Sequence, residues 1–433
     1  MKNAKRILSL LLLTVIVFSS LSLVACGDGE SNGVKTIYVY NWGEYISDGS
    51  EDTLNSNRAF ELWYEYTFGE KVRVVYSTYS SNEDMYAKLS GGAVNYDIIV
   101  PSDYMIERLI KEDALAPLDF INIPHADTNL SPEFFGEGAR YDYYDKGSVY
   151  SVPYFYGMIG IIYNTEMVDE NDIGSWDLMW NEKYKGNILQ FNNSRDAFGT
   201  AQYYLGIDVN TNDESEWREA LELLKIQKDI VQGYVMDEIF NKMEGNSAAI
   251  SAYYAGDFLT MYENNDSLEF FYPKEGTNLY VDAMCIPKTS ENKLIAERYI
   301  DFMLMVDEDF DEGFLEYMEE IGEDFYSPAV ANAEYTYYAS PNQKVVADEG
   351  YRESMNSIKD DAFDKMYALD GVEATYYKNL TPERLATINS LWEELKSDID
   401  VSPTIIIICI AIVALLVFAA AFFGIRKKYR NNY

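Results

Sequence analysis

TIYVYNWGEY, residues Thr36 to Tyr45, decides how this chain is read. Its β-branched and aromatic residues describe a buried strand, and the strand runs straight into an exposed acidic-aromatic turn. Strands that end in this way commonly open ligand sites. Trp42, Glu44 and Tyr45 set two ring faces beside one carboxylate, a combination suited to holding an organic cation.

Outward from that strand the pattern alternates. Lys71 to Thr78 and Tyr96 to Val100 are β-branched runs bounded by turn residues and read as strands. Between them Asn82-Glu83-Asp84 starts a helix with acids at its positive end, and Gly91-Gly92 stops it. A second amphipathic stretch, Tyr104 to Lys111, follows Pro101-Ser102-Asp103. The order strand, helix, strand, helix implies an α/β fold with parallel strands. Ligands in such sheets bind beyond the carboxyl ends of the strands, where Trp42, Glu44, Ser102 and Tyr104 fall.

The termini place the chain at a membrane. Residues 1–26 carry Lys2, Lys5 and Arg6, an apolar run from Ile7 to Phe18, and then Leu23-Val24-Ala25-Cys26, the order of a signal peptide closing on a lipobox. Residues 27–34 read as a flexible tether. Thr404 to Gly424 carries no charge and matches the ~20 residues that cross a bilayer. The basic tail 425–433 then stays inside, leaving everything before residue 404 outside. Seven of the 34 Lys and Arg lie in these terminal segments, which leaves residues 27–403 with 27 bases against 72 acids, a net charge of −45. That field excludes nucleic acid as a partner and favours the approach of cations. Of three cysteines, Cys26 is the lipidation site and Cys409 lies in the apolar span. Cys285 has no partner for a disulfide, so stability rests on core burial, for which the length is ample in two domains.

Four segments, taken together, resemble the spermidine/putrescine-binding proteins of ABC transporters, within the wider type II periplasmic binding-protein group. They are YNWGEY; YSTYSSNEDMYAKL at Tyr76 to Leu89; the Trp-Asp-Leu and Tyr-Lys-Gly pieces of the stretch that starts at Ser175; and DAMCIP at Asp282 to Pro287, followed by a helix from Asn292 to Met305. The resemblance implies two α/β lobes joined by a hinge. Lobe 1 takes 35–154 and 282–330, and lobe 2 takes 155–281 and 331–400. It implies a receptor without catalytic activity or cofactor, which captures a polyamine and hands it to an ABC permease from the outer face of the cytoplasmic membrane, held there by lipid and by the C-terminal span.

The same resemblance implies ligand contacts from Trp42, Glu44, Tyr45, Ser102, Tyr104, Asn193, Asp196, Tyr253, Tyr280 and Asp282. Asp196 corresponds to the acid that grips one terminal amine, and Asp282 to the acid for the secondary or other primary ammonium. Asp196 has an alternative reading as the cap of the helix that follows. Three positions depart from the family: Gly43 replaces a hydroxyl residue, Asn193 stands where an acid is common, and Tyr253 and Tyr280 replace Trp. One fewer carboxylate favours a diamine over a triamine, unless Asp103, Asp257 or Glu263 lies near enough to compensate. The other readings are a receptor for another small cation or for ferric iron, and an exported enzyme or adhesion module. His125 is the only histidine and sits in what reads as a surface loop; the one G-x-S-x-G, Gly29 to Gly33, falls in the tether and not on a strand-to-helix turn, and no phosphate-cradling glycine loop occurs. Asp307, Asp309 and Asp311 only partly match a calcium loop and read as a solvated helix end.

Overall fold

Residues 33–397 are described in a computed structural model, apart from Ala93 and Asp370. The signal segment with Cys26, the apolar span 404–424 and the tail 425–433 lie outside the described residues. Among those described, no helix is long and apolar enough to cross a membrane.

The opening strand, β1 (Lys35–Trp42), pairs in parallel with β2 (Val72–Tyr79) and with β3 (Ile98–Ile99). The helices Asn82–Ser90 and Asp103–Lys111 join and follow these strands as their amphipathic spacing predicts. β3 is shorter than the Tyr96–Val100 run: the Asp97 amide still donates to the Tyr38 carbonyl at 2.8 Å, but the Tyr38 amide turns to the Asp97 side chain. Its carboxylate accepts from the Tyr38 amide at 2.9 Å and from Ser290 at 2.6 Å.

The parallel order expected of β1, β2 and β3 holds, while the sheet as a whole is mixed. β4 (Ser151–Asn164) and β9 (Thr277–Cys285) run antiparallel through its centre, and β9 also meets β3 antiparallel. Beyond β4 come β5 (Ile188–Phe191), β6 (Val231–Val235), β7 (Ile250–Tyr254) and β8 (Leu268–Phe271). Short β10 (Ala374–Thr375) pairs with the start of β9. The strand order is β2-β1-β3-β9-β4-β7-β5-β6. Two flanks with parallel pairs, β2-β1-β3 and β7-β5-β6, are thus joined by two long antiparallel strands. β4 and β9 are buried along nearly all their length, as strands covered on both faces must be.

The stretch from Ser175 folds into two 3₁₀ turns, Trp176–Trp180 and Glu182–Tyr184, that lead into β5. Trp176 is fully buried and satisfies its indole N–H on the Gly276 carbonyl at 2.8 Å. The helix expected over Asn292–Met305 covers Lys293–Phe302. The closing helix Pro382–Ser397 packs Ile388, Leu391 and Leu395 against Trp217, Leu221 and Leu224 of the helix Glu214–Lys228. His125 is not in a surface loop: it belongs to a short helix, Pro124–Asn129, started by its proline. Its Nδ1 lies 3.0 Å from the buried Asp301 carboxylate. Asp309 pairs with Lys344 at 2.7 Å and Asp311 caps the helix Glu312–Ile321, which gives both acids structural work.

Gly160 marks the tightest point of β4. A Cβ there would stand 2.2 Å from the Phe270 ring and 2.7 Å from the Phe271 carbonyl oxygen. Gly160→Ala is expected to destabilise the fold by about 1–3 kcal/mol, the range for overpacking a dense core, seen as a lower urea midpoint with unchanged slope.

Candidate ligand cleft

The carboxyl ends of both flanks face one another across a cleft. β1 delivers Trp42, Gly43, Glu44 and Tyr45. The start of the helix after β2 delivers Asn82 and Glu83, and the turn after β3 delivers Ser102, Asp103 and Tyr104. From the other flank come Asn193 and Asp196 after β5, Asp237 after β6, and Tyr253, Tyr254 and Asp257 at the end of β7. The crossing strand β9 adds Tyr280 and Asp282. All ten residues expected from the sequence line this cleft, as do Asp103 and Asp257. Glu263 does not; it is exposed on its helix.

Asp282 sits at the centre. The Tyr45 hydroxyl donates to one of its carboxylate oxygens and the Ser102 hydroxyl to the other, each at 2.6 Å. Ser102 is itself held by Asn82, which accepts from its amide at 3.1 Å and donates to its hydroxyl at 3.0 Å. Burial pushes the Asp282 carboxyl up to about 6, against the pull of those two donors. Trp42 donates its indole N–H to the Val100 carbonyl at 2.8 Å and tilts against Tyr79, so it presents a ring face as a wall. Glu44 follows in the left-handed region at φ 49°, a conformation costly for glutamate that aims this turn.

A second acidic station forms around Asp196. Asn193, not Asp196, caps the helix Ser194–Leu205, accepting from the Asp196 amide at 2.8 Å. The Asn193 side-chain amide then donates to the Asp196 carboxylate at 2.8 Å, and the Tyr254 hydroxyl joins it at 2.7 Å. Arg195 turns away: its guanidinium donates to the Val209 and Lys378 carbonyls and lies over the Tyr377 ring at 4.4 Å. Across the cleft Tyr104 donates to Glu83 at 3.0 Å. Burial holds both Asp196 and Glu83 above the ordinary carboxylate range.

Two more acids are deeply held. Asp257 accepts from the Tyr338 hydroxyl at 2.9 Å, and burial raises it to about 8. Asp103, raised by burial to about 7, accepts from Tyr143 at 2.5 Å and from the Tyr104 amide at 2.6 Å. Tyr253 is 2% exposed and stacks on Phe191 with ring centres 5.5 Å apart, while Tyr280 meets Tyr254 edge to face.

Seven carboxylates (Glu44, Glu83, Asp103, Asp196, Asp237, Asp257 and Asp282) and nine aromatic rings therefore line one cleft. No Lys, Arg or His among the described residues lines it. Acids with no basic partner, most of them buried, beside ring faces repel anions and reward a cation with an apolar body. Sequence reasoning missed Glu83, Asp237, Tyr254, Tyr338 and Tyr377. Two glycines carried a usable signal, since Gly199 and Gly256 admit the close approach of Tyr377 and Tyr338 that a Cβ would block.

Comparison with known proteins agrees with this geometry. The chain is 32% identical over 275 residues to the spermidine/putrescine-binding periplasmic protein of Salmonella typhimurium, covering 63% of this chain and 73% of that one. It is 29% identical over 290 residues to a putrescine/cadaverine-binding protein of Pseudomonas aeruginosa, covering 64% and 77%. The solved spermidine/putrescine ABC transporter substrate-binding protein of Streptococcus pneumoniae, in complex with calcium and HEPES, superposes with a TM-score of 0.60 at 30% identity, covering 84% of this chain and 99% of that one. Residues 61–317 match the family described as bacterial extracellular solute-binding protein. That match spans more than half of the chain, which belongs to this family of extracellular solute-binding proteins.

Proposed function

We propose that this protein is the polyamine receptor of an ABC importer, binding putrescine or spermidine between two lobes and passing it to the permease. The observation that carries the reading is a cleft with seven carboxylates, nine rings and no basic side chain among the described residues. A polyamine is a methylene rod with charges along it. Rings cover the rod through cation–π and apolar contact, and separate acids meet the nitrogens, Asp196 at one end and Asp282 further along.

The lobes divide at the crossing strands: 35–154 with 282–330 on one side, 155–281 with 331–400 on the other. Closure by bending where β4 and β9 cross brings Trp42, Tyr45 and Ser102 towards Asp196 and Tyr254 around the ligand. Lipidation at Cys26 and a span over 404–424 tether the receptor on the outer face of the membrane beside the permease. Binding requires no chemistry at the solute, and the relatives are transport proteins. Ferric iron is the less favoured occupant because the cleft tyrosines do not gather on one point: Tyr45 donates to Asp282, Tyr104 to Glu83, Tyr254 to Asp196 and Tyr338 to Asp257.

A thermal-shift titration with putrescine, spermidine, spermine, cadaverine and ferric citrate tests the reading. At 100 times its dissociation constant a ligand stabilises the fold by roughly 2.7 kcal/mol, and a saturable shift with a polyamine is the expected result. Saturation with ferric citrate alone would replace the polyamine by iron.

A further inference from the structure

Residues 374–380 carry the chain from β10 to the closing helix, and they run between the two lobes. Their backbone is fixed to lobe 2. Ala374 and Thr375 pair with Thr277 and Asn278 of β9, and the Thr375 hydroxyl shares a 2.6 Å hydrogen bond with Tyr203. Asn210 donates to the Tyr376 carbonyl at 2.9 Å and accepts from the Lys378 amide at 2.8 Å. The buried Arg195 donates to the Lys378 carbonyl at 3.3 Å.

Two contacts lead from the same segment to lobe 1. The Tyr376 ring lies flat on Tyr143, with centres 3.6 Å apart and planes 14° apart. The Asn379 amide donates to the Glu107 carboxylate at 2.7 Å. Glu107 belongs to the helix Asp103–Lys111 after β3, and its other oxygen pairs with Lys111 at 2.7 Å. Tyr143, Tyr376 and Glu107 are only half-buried and stand outside the cleft lining. Water can therefore take over these groups when the contacts part, whereas the attachments to lobe 2 include backbone pairing and a buried guanidinium. The segment is also tied to the cleft itself. Tyr377 turns into it beside Tyr104, and Tyr143 hangs by its hydroxyl on the cleft acid Asp103.

We propose that residues 374–380 form a clasp that travels with lobe 2, and that Tyr143 and Glu107 are the positioning residues on lobe 1 that receive it and set how long the solute is held. The inference rests on the reading above of two lobes that close on a polyamine. Contacts made only when the lobes meet stabilise the closed form alone, so their loss speeds release and leaves capture by the open form unchanged.

Stopped-flow binding and release of spermidine by the detergent-solubilised full chain test this in the wild type, Tyr376→Ala, Tyr376→Phe and Glu107→Ala. Tyr376→Ala and Glu107→Ala are each expected to release spermidine about two- to tenfold faster at an unchanged association rate, the factor for an aromatic pair or a partly exposed charge-assisted hydrogen bond. Tyr376→Phe keeps the ring and should behave as the wild type. Hydrogen exchange resolved to single amides separates a clasp from general support of the fold. Tyr376→Ala leaves Glu107 in place, yet it should speed exchange of the Asn379 amide and leave that of the Lys378 amide, held within lobe 2, unchanged. An equal response of the two amides, or release rates equal to that of the wild type, overturns the clasp and leaves the polyamine reading standing. A wild type that binds no polyamine overturns that reading instead, and the two amides then decide the clasp alone.

Discussion

Asp282→Ala is expected to weaken polyamine binding by about a hundredfold or more. Truncating one member of a buried, hydrogen-bonded charge pair costs about 2–5 kcal/mol, and Asp282 lies at the centre of the cleft with both oxygens already engaged. The substitution removes the charge that meets an ammonium and also leaves the buried hydroxyls of Tyr45 and Ser102 without their acceptor. Asp282→Asn separates these effects, because it keeps an oxygen for one donor and loses only the charge. Calorimetry should give nearly the same loss for both variants if the ammonium contact is ionic. An Asn variant that binds like the wild type would show that Asp282 serves the cleft through hydrogen bonding alone.

Affinity for a polyamine is expected to rise at least about tenfold between pH 5 and pH 7.5, the factor that Asp282 alone contributes. Burial holds Asp282 at about 6, Asp103 at about 7 and Asp257 at about 8, so each carries a proton over part of that range. A bound ammonium favours the carboxylate, and binding therefore expels protons. Each proton released costs about 1.4 kcal/mol per pH unit below the group's pKa. The amines of the ligand stay charged throughout, with pKa values near ~10 like that of lysine. Folding has the opposite slope. Between about pH 4, where these acids titrate in the unfolded chain, and their raised folded values, the folded chain binds more protons, so its stability falls as pH rises. The protein without ligand should thus melt at lower temperature as pH goes from 5 to 8, while the shift produced by ligand grows. Parallel melting curves with and without polyamine would mean that these acids do not meet the ligand's charge.

What was legible in the chain follows from what local chemistry controls. β1, β2 and the helix at Asn82 are announced by β-branched runs, a turn and acids at a helix start, all contained within a few residues. The central antiparallel pair was not announced, because β4 is an unbroken apolar run whose direction is decided only by β9, more than a hundred residues later. Motif residues such as Trp42 and Asp282 could be placed because their neighbours are distinctive. Asp237 and Tyr338 could not, since in a chain with 72 acids and 38 tyrosines only the fold says which of them face the cleft. Glu83 was read correctly as an acid at a helix start, and the structure adds a second role as the acceptor for Tyr104. Asn193 is the converse case: read as a lost acid, it is the cap and amide donor that orients Asp196.

The crossing of β4 and β9 also bears on how the chain acquires its shape. Ile99 of β3 finds its strand partner in Cys285, and Phe155 pairs with Asp282. The first flank therefore cannot complete its sheet until the whole second flank has been synthesised and the chain has returned. Such long-range pairing gives a high contact order, slow folding and a late, concerted closure of the core. A chain that stays open until its residue 285 arrives is one that a membrane translocase can still thread, and the two flanks should then melt together in a single transition.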